Sequence, residues 1–344
     1  MKGLFKKVVA LTAAAALAMT ALVGCGAESV DNNEVAAVVN DSEITAGVAN
    51  FYFRYQQSAV EELYASMLGD DMWSLQLTED SDETYEESTK ASMIEDLSEM
   101  YILEDHMADY NLTLSDDALA AIDKAAAAFV EANADDIKAK VSGEKEIVAE
   151  VLRLLTISND MFNAMVADID REVSDEEAAQ KKLQYISFSK TESHEDHEHD
   201  LEEDDIAKAK KDAEDFLAEA KSAGSLEAYA AVKELKSYPL TFDAETTSLN
   251  EKVIKAADAL AVNEFTDVIE TDSAFYVVQL TSDFDKDATE VEKENIIVER
   301  ENERYSQILE GFKKDAEVTV NEDVIAKISL HGLAVTPKAE KKED

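Results

Sequence analysis

Two hydrophobic periods divide this chain. From Ser92 to Tyr110, the residues Met93, Ile94, Leu97, Met100, Tyr101 and Leu103 recur near the 3.6-residue period of an amphipathic helix. Similar stripes predict a helix after Ile44-Thr45, carrying Phe51, Tyr52, Tyr55, Val60 and Leu63. Others predict helices over Ala118–Ala132 and Glu144–Asp168, the last presenting Ile147, Val151, Leu154, Leu155, Met161 and Met165. Ser115-Asp116-Asp117 supplies a helix cap, and the acidic run Glu79–Glu87 reads as a loop or a frayed helix start. Ahead of these helices, Val35–Val39 followed by Asn40-Asp41 is a short strand and a turn.

After Val173-Ser174-Asp175-Glu176-Glu177, read as a cap opening a short helix, the pattern changes. Leu183–Phe188 is a strand, and the charged insertion Lys190–Asp205 separates it from a helix over Ile206–Ala223. A short helix Leu226–Val232, a strand Tyr238–Phe242 and a helix Glu251–Leu260 follow. Thr266–Glu270 and Phe275–Leu280 read as an antiparallel hairpin. The order β-α-α-β-α-β-β within about 100 residues is a compact α+β unit. Thr289-Glu290-Val291-Glu292 has the form of a capping box and opens a long charged helix with Ile296, Ile297, Tyr305, Ile308, Leu309 and Phe312. The β-prone Val318–Val320 comes next, and the Lys/Glu-rich residues from Pro337 read as a disordered tail.

The first residues follow a different order. Lys2, Lys6 and Lys7 precede an apolar run from Val8 to Val23, then Gly24 and Cys25, the only cysteine. That is the charged, apolar, small-residue order of a secretory signal, too short and wrongly flanked for a membrane span. Leu22-Val23-Gly24-Cys25 resembles the lipobox of bacterial lipoproteins, which implies lipidation of Cys25 and a mature chain of about 320 residues. With one cysteine, no internal disulfide forms, and stability rests on burial of the 46% hydrophobic residues. The net charge of −45 argues against nucleic acid as a partner and against charge-driven adsorption to an anionic membrane.

Three segments carry a further resemblance. Val38-Val39-Asn40-Asp41-Ser42-Glu43-Ile44-Thr45, the helix from Met93 to Leu114 with its Ser115-Asp116-Asp117 cap, and Leu249–Leu280 are similar, in that order, to the lipid-anchored parvulin-type foldases of Gram-positive bacteria, relatives of the SurA chaperones. The resemblance implies an α+β fold: a mainly helical SurA-like chaperone lobe with an inserted parvulin-like domain built on a four-stranded antiparallel sheet. Its implied boundaries are a signal at 1–24, a tether at 25–34, a helical lobe at 35–178, a parvulin-like domain at 179–283, a C-terminal helix and strand at 284–336, and a tail at 337–344. It also implies an extracytoplasmic location on the outer face of the cell membrane, unfolded exported proteins as partners, and peptidyl-prolyl cis–trans isomerisation without a cofactor. That reaction faces a barrier of about 20 kcal/mol and takes tens of seconds uncatalysed.

The family's two facing histidines fall on Tyr185 and Tyr276, and its proline pocket on Leu249, Val253 and Phe242. The two tyrosines are either replacements for the histidines or cleft tyrosines on adjacent strands, able to pair through their hydroxyls. His194, His197 and His199, in His194-Glu195-Asp196-His197-Glu198-His199-Asp200, are metal candidates, with a solvated acidic loop as the alternative. His106 and His331 read as ordinary surface or packing residues. Met72 and Trp73 near Leu68 form either core or an apolar crevice for clients. Three functions follow: a tethered foldase, a non-catalytic chaperone or adaptor lipoprotein, and a metal- or solute-binding lipoprotein. The last normally shows repeated βα units, which this pattern lacks.

Overall fold

The computed structural model describes residues 17–20, 30–69, 71–78, 81–194 and 197–337. It is a mixed α+β molecule with two compact units: Met1–Ile169 with Glu303–Asp344, and Asp170–Asn302. Among the described residues, no helix is long and apolar enough to cross a membrane.

The first unit opens with β1 (Leu17–Thr20), β2 (Val35–Val39) and β3 (Ser42–Thr45), followed by α1 (Ala46–Leu68), α2 (Tyr85–Asp105), α3 (Asp116–Ala132), α4 (Asp135–Val141) and α5 (Lys145–Met165). Asn40 makes the turn between β2 and β3 at φ 51°, the left-handed conformation that asparagine tolerates. Thr45 caps α1 by accepting from the Val48 N–H at 3.3 Å, and Ser115 caps α3 through Ala118 at 3.1 Å. The helix expected from Ser92 begins seven residues earlier. Thr84 and Glu87 form a reciprocal capping box, so part of the acidic run is the helix start itself.

The second unit contains β4 (Lys181–Ser189), β5 (Thr191–His194), β6 (His197–Asp200), α6 (Glu203–Ala223), α7 (Leu226–Val232), β7 (Tyr238–Phe242), α8 (Glu251–Asp258), β8 (Ile269–Glu270) and β9 (Ala274–Ser282). Then α9 (Lys286–Asp315) leads back into the first unit, followed by β10 (Val318–Val320), α10 (Glu322–Ile325) and β11 (Ala334–Pro337). Val173–Glu177 makes a single turn, with Ser174 Oγ accepting from the Glu177 N–H at 3.1 Å, and no helix follows it. The long helix starts three residues before Thr289. Asp285 caps it through the Ala288 N–H at 3.2 Å, while buried Thr289 accepts from the Gln180 N–H at 3.1 Å.

In the first unit, β10, β2 and β3 form one antiparallel sheet. Ile44, Phe51, Phe53, Leu97, Phe129 and Leu154 are buried in the core below it. Met72 and Trp73 belong to that core and do not form a crevice: Trp73 stacks on Tyr85 with centroids 5.6 Å apart and donates from Nε1 to Glu61 Oε1 at 3.0 Å. Lys90 is buried and donates to the Ile328 carbonyl at 2.8 Å, which pins the C-terminal segment to α2. β11, unmarked in the hydrophobic pattern, pairs antiparallel with β1, Leu17 opposite Pro337.

In the second unit the sheet order is β7-β4-β9-β8, antiparallel throughout. Strand alternation sends Ile186, Phe275 and Val277 to one face, against Phe216 and Leu217 of α6 and Leu226 of α7. Leu183, Val278 and Leu280 go to the other face, against Val253, Ile254 and Ala257 of α8.

Candidate functional site

The α8 face of this sheet carries the candidate site. Tyr185 lies directly across from Tyr238 of β7 on one side and Val278 of β9 on the other. Tyr276 lies opposite Ser187 of β4 and Ile269 of β8, so it reaches Tyr185 diagonally across the sheet. The Tyr185 and Tyr238 rings stack with centroids 5.5 Å apart and planes 27° apart, and Tyr185 meets Tyr276 at 6.0 Å and 42°. Lys236 places its ammonium 4.7 Å from the Tyr238 ring centre. Three rings on three neighbouring strands thus form an aromatic crescent. Tyr185 and Tyr276 are half-buried, and Tyr238 is exposed.

The expected pairing of Tyr185 and Tyr276 is present in a different form. The rings touch, and among the described residues no hydrogen bond joins their hydroxyls, because a diagonal pair on a pleated sheet meets through its ring faces. Tyr238 escaped the sequence reading. Its register opposite Tyr185 adds it to the crescent, and only the pairing of β7 with β4 reveals that.

The expected proline cup is also rearranged. Phe242 and Val253 are fully buried, with Leu183, Ile254, Val278 and Leu280 around them, so they form the dry floor of the face and offer a ligand no surface. Leu249 keeps partial exposure at the rim, with Leu240 and Ile269. Burial, and then the neighbouring Tyr276 and Tyr238, push the Tyr185 hydroxyl up, so it stays protonated and able to donate at neutral pH.

Asp243 follows Phe242 at the opposite end of β7 from Tyr238. Its carboxylate accepts from Gln180 Nε2 at 2.8 Å, Thr246 Oγ1 at 3.0 Å and the Glu245 N–H at 2.9 Å. Desolvation is outweighed by these hydrogen bonds, which hold Asp243 below the usual aspartate range. It fastens a loop and does not serve the crescent. On the opposite face, buried Gln279 accepts from the Leu226 N–H at 2.8 Å and donates to the carbonyls of Gly224 and Asn263 at 3.2 and 3.3 Å. That residue keeps the α6–α7 junction fixed to the strand that bears Tyr276.

Cys25 lies outside the described residues. His194, His197 and His199 lie on β5 and β6, away from the crescent in sequence and on a separate two-stranded sheet. His106 stacks on Phe312 with centroids 3.7 Å apart, a packing role. In the first unit, Leu63 and Met67 are exposed four residues apart on α1, with Leu75 and Leu77 exposed beyond it.

No family model matches this chain, and no curated protein matches it. Among solved structures, the neighbours are foldase proteins and SurA-like chaperones. A foldase protein (PrsA) from Lactococcus lactis is 15% identical, covering 87% of this chain and 98% of its own, with a TM-score of 0.35. Foldase protein PrsA from Streptococcus pneumoniae is 20% identical over 75% of this chain and 99% of its own, with a TM-score of 0.30. A SurA-like chaperone from Campylobacter jejuni is 10% identical over 84% and 99%, with a TM-score of 0.28.

Proposed function

We propose that this chain is an extracytoplasmic, membrane-tethered foldase and chaperone for exported proteins, whose second unit holds prolyl segments on the crescent of Tyr185, Tyr238 and Tyr276. The crescent is the observation that carries the reading. Aromatic faces over an apolar floor give a pyrrolidine ring a flat, water-poor partner with little side-chain entropy to lose. Rotation about a prolyl bond makes and breaks no covalent bond. A surface that favours the twisted imide over the planar one accelerates it, and a protonated phenol at the edge supplies a hydrogen bond to that state. Exposed Leu63, Met67, Leu75 and Leu77 give the first unit an apolar surface for unfolded chain. The leader pattern and Cys25 support secretion and a lipid tether.

Exchange NMR on an Ala-Pro peptide, with protein from residue 26 onward, tests the second unit. Tyr238→Ala is expected to abolish peptide binding. Tyr185→Phe and Tyr276→Phe are expected to keep binding and slow the exchange. Binding and suppression of client aggregation without faster exchange would favour the chaperone reading without catalysis. No binding and no suppression would overturn both. The tether is checked by metabolic labelling with palmitate, which Cys25→Ser should abolish.

A further inference from the structure

The C-terminal strand β11 is fixed along its approach by contacts that do not involve β1. Lys90 donates to the Ile328 carbonyl at 2.8 Å, the Leu330 N–H donates to Glu86, and Gln57 Nε2 donates to the Gly332 carbonyl at 3.5 Å. Leu333 and Val335 then enter the core of the first unit beside Ile328 and Leu330, and β11 packs along α1. Ala334 and Val335 are neighbours whose side chains leave opposite faces of the strand, and both are buried. The β11 backbone therefore lies in a water-poor setting.

Its pairing edge depends on one partner. Among the described residues, β1 is the strand that pairs with β11, with Leu17 opposite Pro337, Ala18 opposite Thr336, Met19 opposite Val335 and Thr20 opposite Ala334. β1 belongs to the stretch ahead of Gly24-Cys25 that has the form of a leader. Cutting the chain before Cys25 removes β1 and leaves every contact that fixes the approach to β11. Backbone groups of β11 that β1 engages then lose their partners beside an apolar core, a costly state that a new strand relieves.

We propose that β11 is a strand-addition site: in the chain without its leader, its edge pairs antiparallel with an extended, uncharged segment of an unfolded exported protein. The inference rests on the leader removal and the chaperone role proposed above. The leader itself marks the seat, because Leu17-Ala18-Met19-Thr20 is an uncharged stretch lying extended on that edge. Main-chain pairing supplies affinity without reading sequence, which suits a site for many different chains. A proline in the segment would remove a ladder hydrogen bond, so this edge favours segments that the tyrosine crescent does not. Until the leader is cut, β1 keeps the edge closed.

The test is fluorescence anisotropy of a labelled peptide with the sequence of residues 15–22, titrated with the chain from residue 26 onward and with the full-length chain. The shortened chain should bind, and the full-length chain should bind about tenfold more weakly or less. Full-length Met19→Pro breaks the β1 ladder and should regain binding, which keeps the test sound if the shortened chain fails to fold. Alternate N–H groups of a strand face its partner. Of two probes N-methylated at Leu17 and Met19 or at Ala18 and Thr20, one should therefore lose about tenfold or more and the other keep its affinity. Reduced, carboxymethylated α-lactalbumin should displace the peptide. Equal behaviour of the two methylated probes, or binding indifferent to the leader, would overturn the strand site. Peptide binding that the unfolded protein cannot displace, or a shortened chain that dimerises until peptide is added, would make the leader or a second copy the occupant and overturn the client. Loss of aggregation suppression and of prolyl exchange, with peptide and unfolded protein still bound, would sink the foldase reading and leave the strand site standing.

Discussion

Asp96 sits partly buried on α2, between Glu95 and Glu99 of its own helix, with Lys313 of α9 as the nearby cation. Lys313 is already engaged, donating to Glu95 Oε1 at 2.8 Å and also to Glu99. Burial first, and then the charges of Glu99 and Glu95, push the Asp96 carboxyl from 3.8 up to about 7, against the smaller opposing pull of Lys313. The folded state therefore holds a proton that the unfolded state has lost. Below pH 3.8 both states are protonated and Asp96 costs nothing. Between 3.8 and about 7 the cost grows, and above 7 it is constant. Asp96→Asn removes the ionisation while nearly keeping the shape. It should stabilise the first unit by about 2 kcal/mol at pH 5 and about 4 kcal/mol at pH 8. Trp73, the only tryptophan, is buried in that unit's core, so urea titrations followed by its fluorescence read this unit. A gain that is the same at both pH values, or a loss at pH 8, would refute the reasoning.

Phe242→Ala should cost the second unit about 3–5 kcal/mol, because the ring is fully buried on the floor between sheet and α8; early hydrogen exchange at the β4 and β9 amides would report it, and unchanged protection would count against the floor. Arg153 donates to Glu104 at 2.6 and 2.8 Å and to Glu150 at 2.7 and 2.8 Å, joining α2 to α5. Arg153→Met leaves the two carboxylates without their shared cation and should cost about 1–3 kcal/mol by Trp73 fluorescence, less in high salt; a salt-independent loss would point to packing instead.

The helices were legible because their apolar stripes and caps are local. Thr45, Ser115 and Ser225 each cap the helix that the pattern starts there. The errors arose where one motif serves two ends. Thr289 has the composition of a cap, yet its hydroxyl is taken by the Gln180 N–H 109 positions away, which no local rule detects. The same limit governs the candidate site. Tyr185 and Tyr276 were visible as strand tyrosines in a family frame, whereas Tyr238 and the sealing of Phe242 depend on strand register and on the packing of α8.

The sheet of the first unit joins Val39 to Val318, so its two halves lie 279 positions apart along the chain. A chain emerging from its amino end cannot close that sheet until nearly all of it has emerged. Residues Asp170–Asn302, by contrast, hold every strand of their four-stranded sheet and complete it earlier. Folding that insert first removes about half of the intervening loop, which lowers the closure cost by only about 0.6 kcal/mol. The arrangement therefore matters for timing more than for stability. Until Val318 arrives, α1 and α2 carry a core without its last strand, so the growing chain passes through a state with part of its own apolar core uncovered.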